Sequence, residues 1–486
     1  MLDHIGADLP RACSAHSAAP IGRGIIWPLK PGASANACGE SVTRQWVSTP
    51  SRLTVSRVMR FERLRRPLEV IATTSTWLAA VAFLGWSARL AFLEGYIYEI
   101  PKNFSGDFSR TVELGDTEWW TGQGIFYGPI FVVESLFLVV PRLLSPGDFA
   151  RLDFVLFALA FGCVWLALFG LHHPRLALLV LAAWLGHHMS VEAFANTAHL
   201  EILELALISL ALLLATRGYV VAAGGALGLA MAVKTLPGLF VPYLAITRQW
   251  RMLASALVCV AVPFLIVCWI QQVTPWDGLY SLVYQGGNLT KLEFTEYEYT
   301  PRAEIARMFA GDGGTLSPEQ ARIAIAIHAS LGLATALFAG WVMLRSRSRA
   351  PRYGLMFGLI GAVMLVAAPS AHAAYYVFLL PGWTALVAEL VGRPRSAATF
   401  AMWLATIASY VLTGFDQPFF LLERYFGFGI IVPQHWLAWH LPSLGLLLTV
   451  ATLSLLLLRS LNEAVLPYRS TPADTAGTAL AVPGRA

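Results

Sequence analysis

The chain has 486 residues, of which 57% are hydrophobic and only 13% are charged, and its mean hydropathy is +0.61. A soluble domain carries about 25% charged residues, so this composition indicates a membrane protein rather than a soluble one. The formal net charge of +5 is small for this length and does not suggest nucleic acid as a partner.

The two termini differ in composition from the rest of the chain. Residues 1–58 are rich in Ser, Ala, Gly and Pro and contain no apolar run long enough for a signal peptide, which predicts a disordered extension. Met59 begins MRFERLRRPLEVIATT, a typical start for an inner-membrane protein, so we hypothesise that translation begins near Met59. Residues 463–486 predict a disordered cytoplasmic tail, which leaves 59–462 as the membrane domain.

Long apolar segments occupy most of this domain. The first runs over about 68–93, and the others lie near 126–141, 152–171, 176–189, 201–216, 219–247, 252–271, 321–344, 353–369, 376–391, 397–414 and 436–459. A span needs about 20 apolar residues, and short or broken helices usually line a cavity. The pattern predicts an all-α polytopic protein of about 11–13 transmembrane or re-entrant helices with short external loops.

Arginines cluster beside the ends of these segments, which is the positive-inside signal. The cluster before the first helix is expected in the cytoplasm, so the loop that follows the helix is expected outside. The same rule assigns to the cytoplasm Arg217, Arg248, Arg251, Arg345, Arg347, Arg349, Arg352, Arg393, Arg395 and Arg459. An odd number of crossings must then precede Arg217, although four segments are available. One segment, with 176–189 as the preferred choice, is therefore expected to be re-entrant or interfacial.

The first external loop, 102–124, reads KNFSGDFSRTVELGDTEWWTGQG. It carries Asp107, Glu113, Asp116 and Trp119. A carboxylate at a bilayer surface can deprotonate a hydroxyl beside a lipid-borne substrate, and an indole can stack on a sugar ring. The alternative is that the acids only solvate the loop.

A second polar segment, HHMSVEAFANTAHLEILEL, precedes Arg217. Its spacings set Asn196, His199 and Glu201 near one helix mouth. No zinc-binding spacing is present, so we expect no metal. In the later loop YQGGNLTKLEF, Asn288 is expected to face the substrate rather than to accept a glycan.

Lys234 lies in AVKTLPGLF, where a helix-breaking proline should bend the 219–247 segment into a hairpin near Lys234–Pro237. A lysine at the centre of a membrane helix costs about 2.5–3.5 kcal/mol, so it needs a partner. An anionic phosphate would suit it. The alternative is a lysine that extends to the interface.

The turn AAPSAHAAYY is predicted between two helices on the external side. The imidazole of His372 can donate to a phosphate oxygen or protonate it, because the pKa of histidine lies near ambient pH. Tyr375 follows within one turn. The alternative is a capping or merely exposed histidine.

Taken in order, these pieces resemble the GT-C integral-membrane glycosyltransferases, and most of all glycosyltransferase family 87, the polyprenyl-phosphate-mannose-dependent alpha-mannosyltransferases. The segments that carry the resemblance are GDFSR, IFYGP, GGALGLAMAVKTLPGLF with the later QWR, GGNLT and APSAHAAYYVFLLP. They extend over roughly 68–460.

The resemblance implies inverting transfer of mannose or another hexose from a polyprenyl-phosphate donor to a lipid-linked or periplasmic acceptor. It implies no nucleotide, metal or other cofactor, and an active site that faces the periplasm or exterior from a multi-pass inner membrane protein. Asp107 would be the general base, and His372 would share the catalytic role. The donor phosphate would be bound by Lys234, His372 and Tyr375. The substrates would contact Glu113, Asp116, Trp119, His199, Glu201 and Asn288.

Two other classes remain open from the residues alone. A transporter or flippase of lipid-linked sugars places ionisable residues near the bilayer midplane. Here most acids fall in predicted external loops. A polymerase or ligase of surface polysaccharide would carry its catalytic residues in one large late loop. The enzyme hypothesis requires Asp107, Lys234 and His372 to converge on one pocket.

Overall fold

The computed structural model describes residues 81, 146–171, 173–187, 190, 201–270, 272, 274–277, 279, 300–310, 316–346, 352–369, 371, 373–414 and 441–459. The predicted extension, the tail, the 126–141 segment and nearly all of the first helix lie outside these residues. All secondary structure within the described residues is helical, which confirms the predicted all-α class.

Apart from α7 (Pro301–Ala310), which lies between two predicted segments, the described helices correspond to the apolar segments predicted from 152–171 onwards. They are α1 (Pro146–Leu168), α2 (Pro174–Gly186), α3 (Glu201–Thr216), α4 (Val220–Val233), α5 (Phe240–Ile246), α6 (Trp250–Ile270), α7 (Pro301–Ala310), α8 (Pro318–Ser346), α9 (Tyr353–Ala367), α10 (Leu380–Val391), α11 (Ala397–Gly414) and α12 (Leu441–Arg459). A first 3-10 helix covers Leu236–Leu239 and a second covers Ala373–Leu379. Four helical stretches within the described residues are long and apolar enough to cross a membrane, which fits a polytopic membrane protein.

The predicted hairpin is present. Helix α4 ends at Val233, and its C-cap residue, Lys234, has an extended backbone with φ −143° and ψ 152°. The first 3-10 helix leads from there into α5. Pro237 has no N–H to donate, so a continuous α-helix is disfavoured at this point. The bend therefore lies where the lysine–proline element predicted it.

Helices pack closely at two crossings, one between the hairpin and α6 and one between α9 and α10. A Cβ on Gly224 of α4 would lie 2.2 Å from the carbonyl oxygen of Met252 in α6. A Cβ on Gly358 of α9 would lie 2.4 Å from the Cα of Gly382 in α10. Small residues let membrane helices approach backbone to backbone, as they do at both of these crossings.

Arginines from several helix termini gather at one end of the packed helices, here called the arginine end. Arg217, after α3, donates to the carbonyl oxygen of Leu166 near the end of α1 at 3.4 Å. Arg352, before α9, and Arg393, after α10, both pair with Glu389. The other end of these helices, here called the opposite end, carries the beginning of α3 and the end of α4.

Helix α2 covers most of the 176–189 segment, the preferred re-entrant candidate. It begins beside α1 at the arginine end, where the rings of Phe169 and His173 are 6.2 Å apart. It ends at His187, whose Nε2 is 3.3 Å from Oγ1 of Thr413 at the far end of α11. Helices α1, α2 and α3 thus alternate in direction between the two ends. None of the three is among the described helices that are long and apolar enough to cross a membrane, so the choice of the re-entrant or interfacial segment stays a prediction.

Candidate active site

Three of the predicted site residues meet at the opposite end. The Nζ atom of Lys234 lies 2.6 Å from Oε1 of Glu201 and donates to the hydroxyl of Tyr375 at 3.0 Å. The ammonium also lies 4.7 Å from the centroid of the Tyr375 ring. The side chain of Glu201 is fully buried, and that of Lys234 is 18% exposed. The lysine therefore has the partner that its apolar surroundings require.

The chain brings these residues together through two antiparallel connections. Glu201 is the first residue of α3 and Lys234 caps the end of α4, so the tight turn after Arg217 places both at one end. Tyr375 comes from the second 3-10 helix, 141 residues beyond Lys234. That helix packs against α3 because α9 and α10 lie behind it.

Two further acids surround the pair. Asp153 of α1 is 3% exposed and lies within electrostatic reach of Glu201. Glu204, one turn after Glu201, is fully buried and interacts electrostatically with Tyr375. Sequence reasoning missed Asp153, although a lone acid inside the apolar 152–171 segment was a signal that could have found it. We call Asp153, Glu201, Glu204, Lys234 and Tyr375 the buried charge cluster. Its three carboxyl groups outnumber its one ammonium.

A short helix, α7, joins other elements at the opposite end. Its Arg302 is 4% exposed and donates to the carbonyl oxygen of Pro369, just after α9, at 3.2 Å. Its Glu304 is 3% exposed and accepts from the backbone N–H of Ser443 in the first turn of α12 at 3.3 Å. Helix α7 therefore links the end of α9 to the beginning of α12. Sequence reasoning did not single out either residue.

Burial raises the pKa of Glu304 to about 7, although the Ser443 N–H and the positive charge of Arg307 act in the other direction. Desolvation disfavours the charged carboxylate, and the partners that favour it do not outweigh that loss. Glu304 is thus a carboxyl group that titrates near neutral pH at the opposite end.

Two buried histidines have structural roles. His187 packs between the rings of Trp383 and Tyr410, with centroids 5.0 and 4.8 Å away. His328 bonds through Nε2 to the carbonyl oxygen of Val366 at 3.0 Å and joins α8 to α9. Within the described part of the chain, no group of three or more His, Cys, Asp or Glu side chains is arranged to hold a metal ion.

Most of the other predicted site residues lie outside the described residues. These are Asp107, Glu113, Asp116, Trp119, His199, Asn288 and His372. The convergence of Asp107 and His372 on Lys234 therefore stays a prediction. The structure joins Glu201, predicted to contact the substrates, to Lys234 and Tyr375, both predicted to bind the donor phosphate.

One known protein family matches this region of the chain. The model of glycosyltransferase family 87 matches residues 126–369, half of the chain. The matched range contains α1 to α9, and with them Asp153, Glu201 and Lys234. No curated protein and no solved structure matches the chain.

Proposed function

The chain belongs to glycosyltransferase family 87, and we propose that it transfers mannose or another hexose from a polyprenyl-phosphate donor with inversion. The acceptor is a lipid-linked or periplasmic glycan. The coarser activity, membrane glycosyl transfer, follows from the family and from the apolar helices.

The observation that carries the proposal is the ammonium of Lys234 at the opposite end, held by Glu201 and Tyr375. A polyprenyl phosphate that leaves the sugar gains negative charge. Hydrogen-bond donors and cations aimed at that charge in a water-poor site stabilise the transition state. Lys234 supplies such a charge, and the neighbouring phenol of Tyr375 supplies a second polar group.

The reaction that we propose begins at Asp107. Its carboxylate takes the proton of the acceptor hydroxyl, and the hydroxyl oxygen attacks the anomeric carbon of the sugar. The bond from that carbon to the phosphate oxygen breaks, and its electron pair stays on the phosphate. Lys234, Tyr375 and His372 then donate to the phosphate.

The remaining predicted residues would bind the sugar and the acceptor. They are Glu113, Asp116, Trp119, His199 and Asn288. The arginine end would lie in the cytoplasm and the opposite end would face the periplasm or exterior of an inner membrane, because basic residues favour the cytoplasmic side.

Purified protein with a radiolabelled polyprenyl-phosphate sugar and a membrane acceptor fraction tests the proposal. We expect release of free polyprenyl phosphate, and a loss of about 10²–10⁴-fold in rate for Asp107→Asn, since a positioned base contributes that much. Glu319→Gln, which changes an exposed acid at the start of α8, is the matched control and should keep wild-type activity.

Full activity in Asp107→Asn would remove the base from its role. Movement of the intact donor across vesicle membranes, without release of polyprenyl phosphate, would instead favour a flippase of lipid-linked sugars.

A further inference from the structure

The acidic partner of Lys234 among the described residues is a carboxylate that is shielded from water. Oε1 of Glu201 lies 2.6 Å from Nζ, and the Glu201 side chain has no exposed surface. An anionic phosphate that binds Lys234 competes with this carboxylate for the same ammonium. The ion pair is therefore part of the binding equilibrium.

A simple loss of the pair is energetically unfavourable. A buried carboxylate that loses its counter-ion keeps its desolvation penalty without its compensation, so such groups become neutral instead. The surroundings of Glu201 add to this tendency. Asp153 from α1 and Glu204 from α3 are acids, and Tyr375 from the second 3-10 helix is uncharged at neutral pH. Lys234 from α4 carries the positive charge that the phosphate would take over.

We propose that donor binding exchanges the partner of Lys234 and is coupled to the uptake of one proton by Glu201. Lys234 moves its hydrogen bond from the Glu201 carboxylate to the donor phosphate. The carboxylate takes a proton from water and becomes a neutral carboxylic acid. One negative charge and one positive charge thus enter together, so the cluster with the bound phosphate has the same net charge as the cluster had before binding.

The exchange gives Glu201 a different role from the sugar-binding role that the sequence suggested. Glu201 is a positioning residue that holds Lys234 in place and neutralises it until the phosphate arrives. The inference rests on the proposed function, because it takes a phosphate as the ligand of Lys234. It deepens that function by adding a dependence of donor affinity on pH.

The test uses a ligand that carries phosphate and lipid but no sugar. Decaprenyl methyl phosphate is a phosphodiester whose single charge does not titrate near neutral pH, and it cannot turn over. Its binding to the full chain in phosphatidylcholine nanodiscs is measured by calorimetry in buffers of different ionisation enthalpy. We expect uptake of about one proton per ligand and an affinity that falls by up to about tenfold per pH unit as the pH rises.

Three variants isolate the exchange. Glu201→Gln removes the titrating group at nearly constant shape, so we expect tighter binding with no proton uptake and no pH dependence. Lys234→Met should weaken binding by about tenfold or more, because it removes a charge-assisted bond. Glu389→Gln, at the arginine end, is the matched carboxylate control and should behave as wild type.

The outcomes separate the two proposals. Binding by the wild-type protein without proton uptake, or weaker binding by Glu201→Gln, would overturn the exchange and leave the transferase intact. Equal binding by Lys234→Met and wild type would overturn the exchange as well as the phosphate role of Lys234. Absence of donor turnover in the radiolabel assay, together with proton-coupled binding here, would overturn the transferase and retain the exchange.

Discussion

Carboxylates pair with cations at both ends of the described helices, but in opposite surroundings. At the arginine end, Glu389 is 22% exposed and pairs with Arg352 and Arg393, which are 30% and 10% exposed. At the opposite end, Glu201 is fully buried against Lys234. Two cations share one acid at the first site, whereas the described residues of the second site include three carboxyl groups and one ammonium.

This difference distinguishes the ion pairs at the arginine end, which stand beside helix ends, from the buried charge cluster, which is a candidate binding site. Partly exposed ion pairs contribute little and are screened by salt, so the stability of the arginine end does not depend on any single pair. Buried charges inside a membrane protein are costly, and they are rarely present without a function. The buried charge cluster therefore has the high desolvation cost that is typical of a binding site, whereas Glu389 and its two arginines form an ordinary surface ion-pair group.

The largest expected difference between the two ends is in activity. Lys234→Met should lower transfer by about 10²–10³-fold, because it removes a group that stabilises the departing phosphate. Arg352→Met should stay near wild type. Release of polyprenyl phosphate from a radiolabelled donor measures both.

Lys234→Met also leaves Glu201 buried without its ammonium, which costs about 3–5 kcal/mol. The double variant Lys234→Met/Glu201→Gln should recover thermal stability but not activity. Recovery of activity in the double variant would show that Lys234 only neutralises Glu201.

The next effect concerns Glu304 and the dependence of stability on pH. Because the folded protein holds this proton up to a pKa of about 7, against 4.5 for an unperturbed glutamate, it binds more protons than the unfolded chain between these two values. The free energy of unfolding should therefore fall as the pH rises through that window, by about 1–3 kcal/mol in total, and level off above it.

Thermal unfolding in detergent from acidic to neutral pH measures this slope. Glu304→Gln should flatten it, whereas Glu319→Gln, an exposed acid at the same end, should leave it as in wild type. An unchanged slope in Glu304→Gln would place the titration elsewhere.

The smallest expected effect is at the arginine end. Glu389→Gln should lower stability by about 1 kcal/mol or less, and high salt should remove the difference because exposed pairs are screened. The difference in stability between Glu201→Gln and the wild type should persist at high salt, because buried pairs are screened much less. Equal salt sensitivity of the two variants would mean that the buried charge cluster is hydrated, and the contrast between the two ends would then disappear.

Much of the helical framework could be predicted from local sequence. The apolar runs and the arginines beside them indicated the helices and their common end, and Lys234 with Pro237 predicted the bend of the hairpin. The direction of the 176–189 segment could not be predicted, because a short apolar run does not reveal it. Only the contacts of His173 with Phe169 and of His187 with Thr413 showed the direction of this helix.

The individual site residues were recognisable, but their association was not. Glu201, Lys234 and Tyr375 stood out as polar groups beside apolar runs, and each suggested a partner outside the protein. Asp153 was missed although it is an acid in an apolar segment. Glu304 did not stand out, because its raised pKa comes from burial, which cannot be read from its position in the sequence.

The signals from hydropathy, proline and arginine depend only on a few neighbouring residues, so local sequence decided that the chain is helical and membrane-embedded and that basic residues stand beside helix ends. Lys234 pairs with Glu201, 33 residues before it, and donates to Tyr375, 141 residues after it. Only the packing of α3, α4 and the second 3-10 helix decided that, because desolvation and Coulomb energies depend on distance in space rather than along the chain.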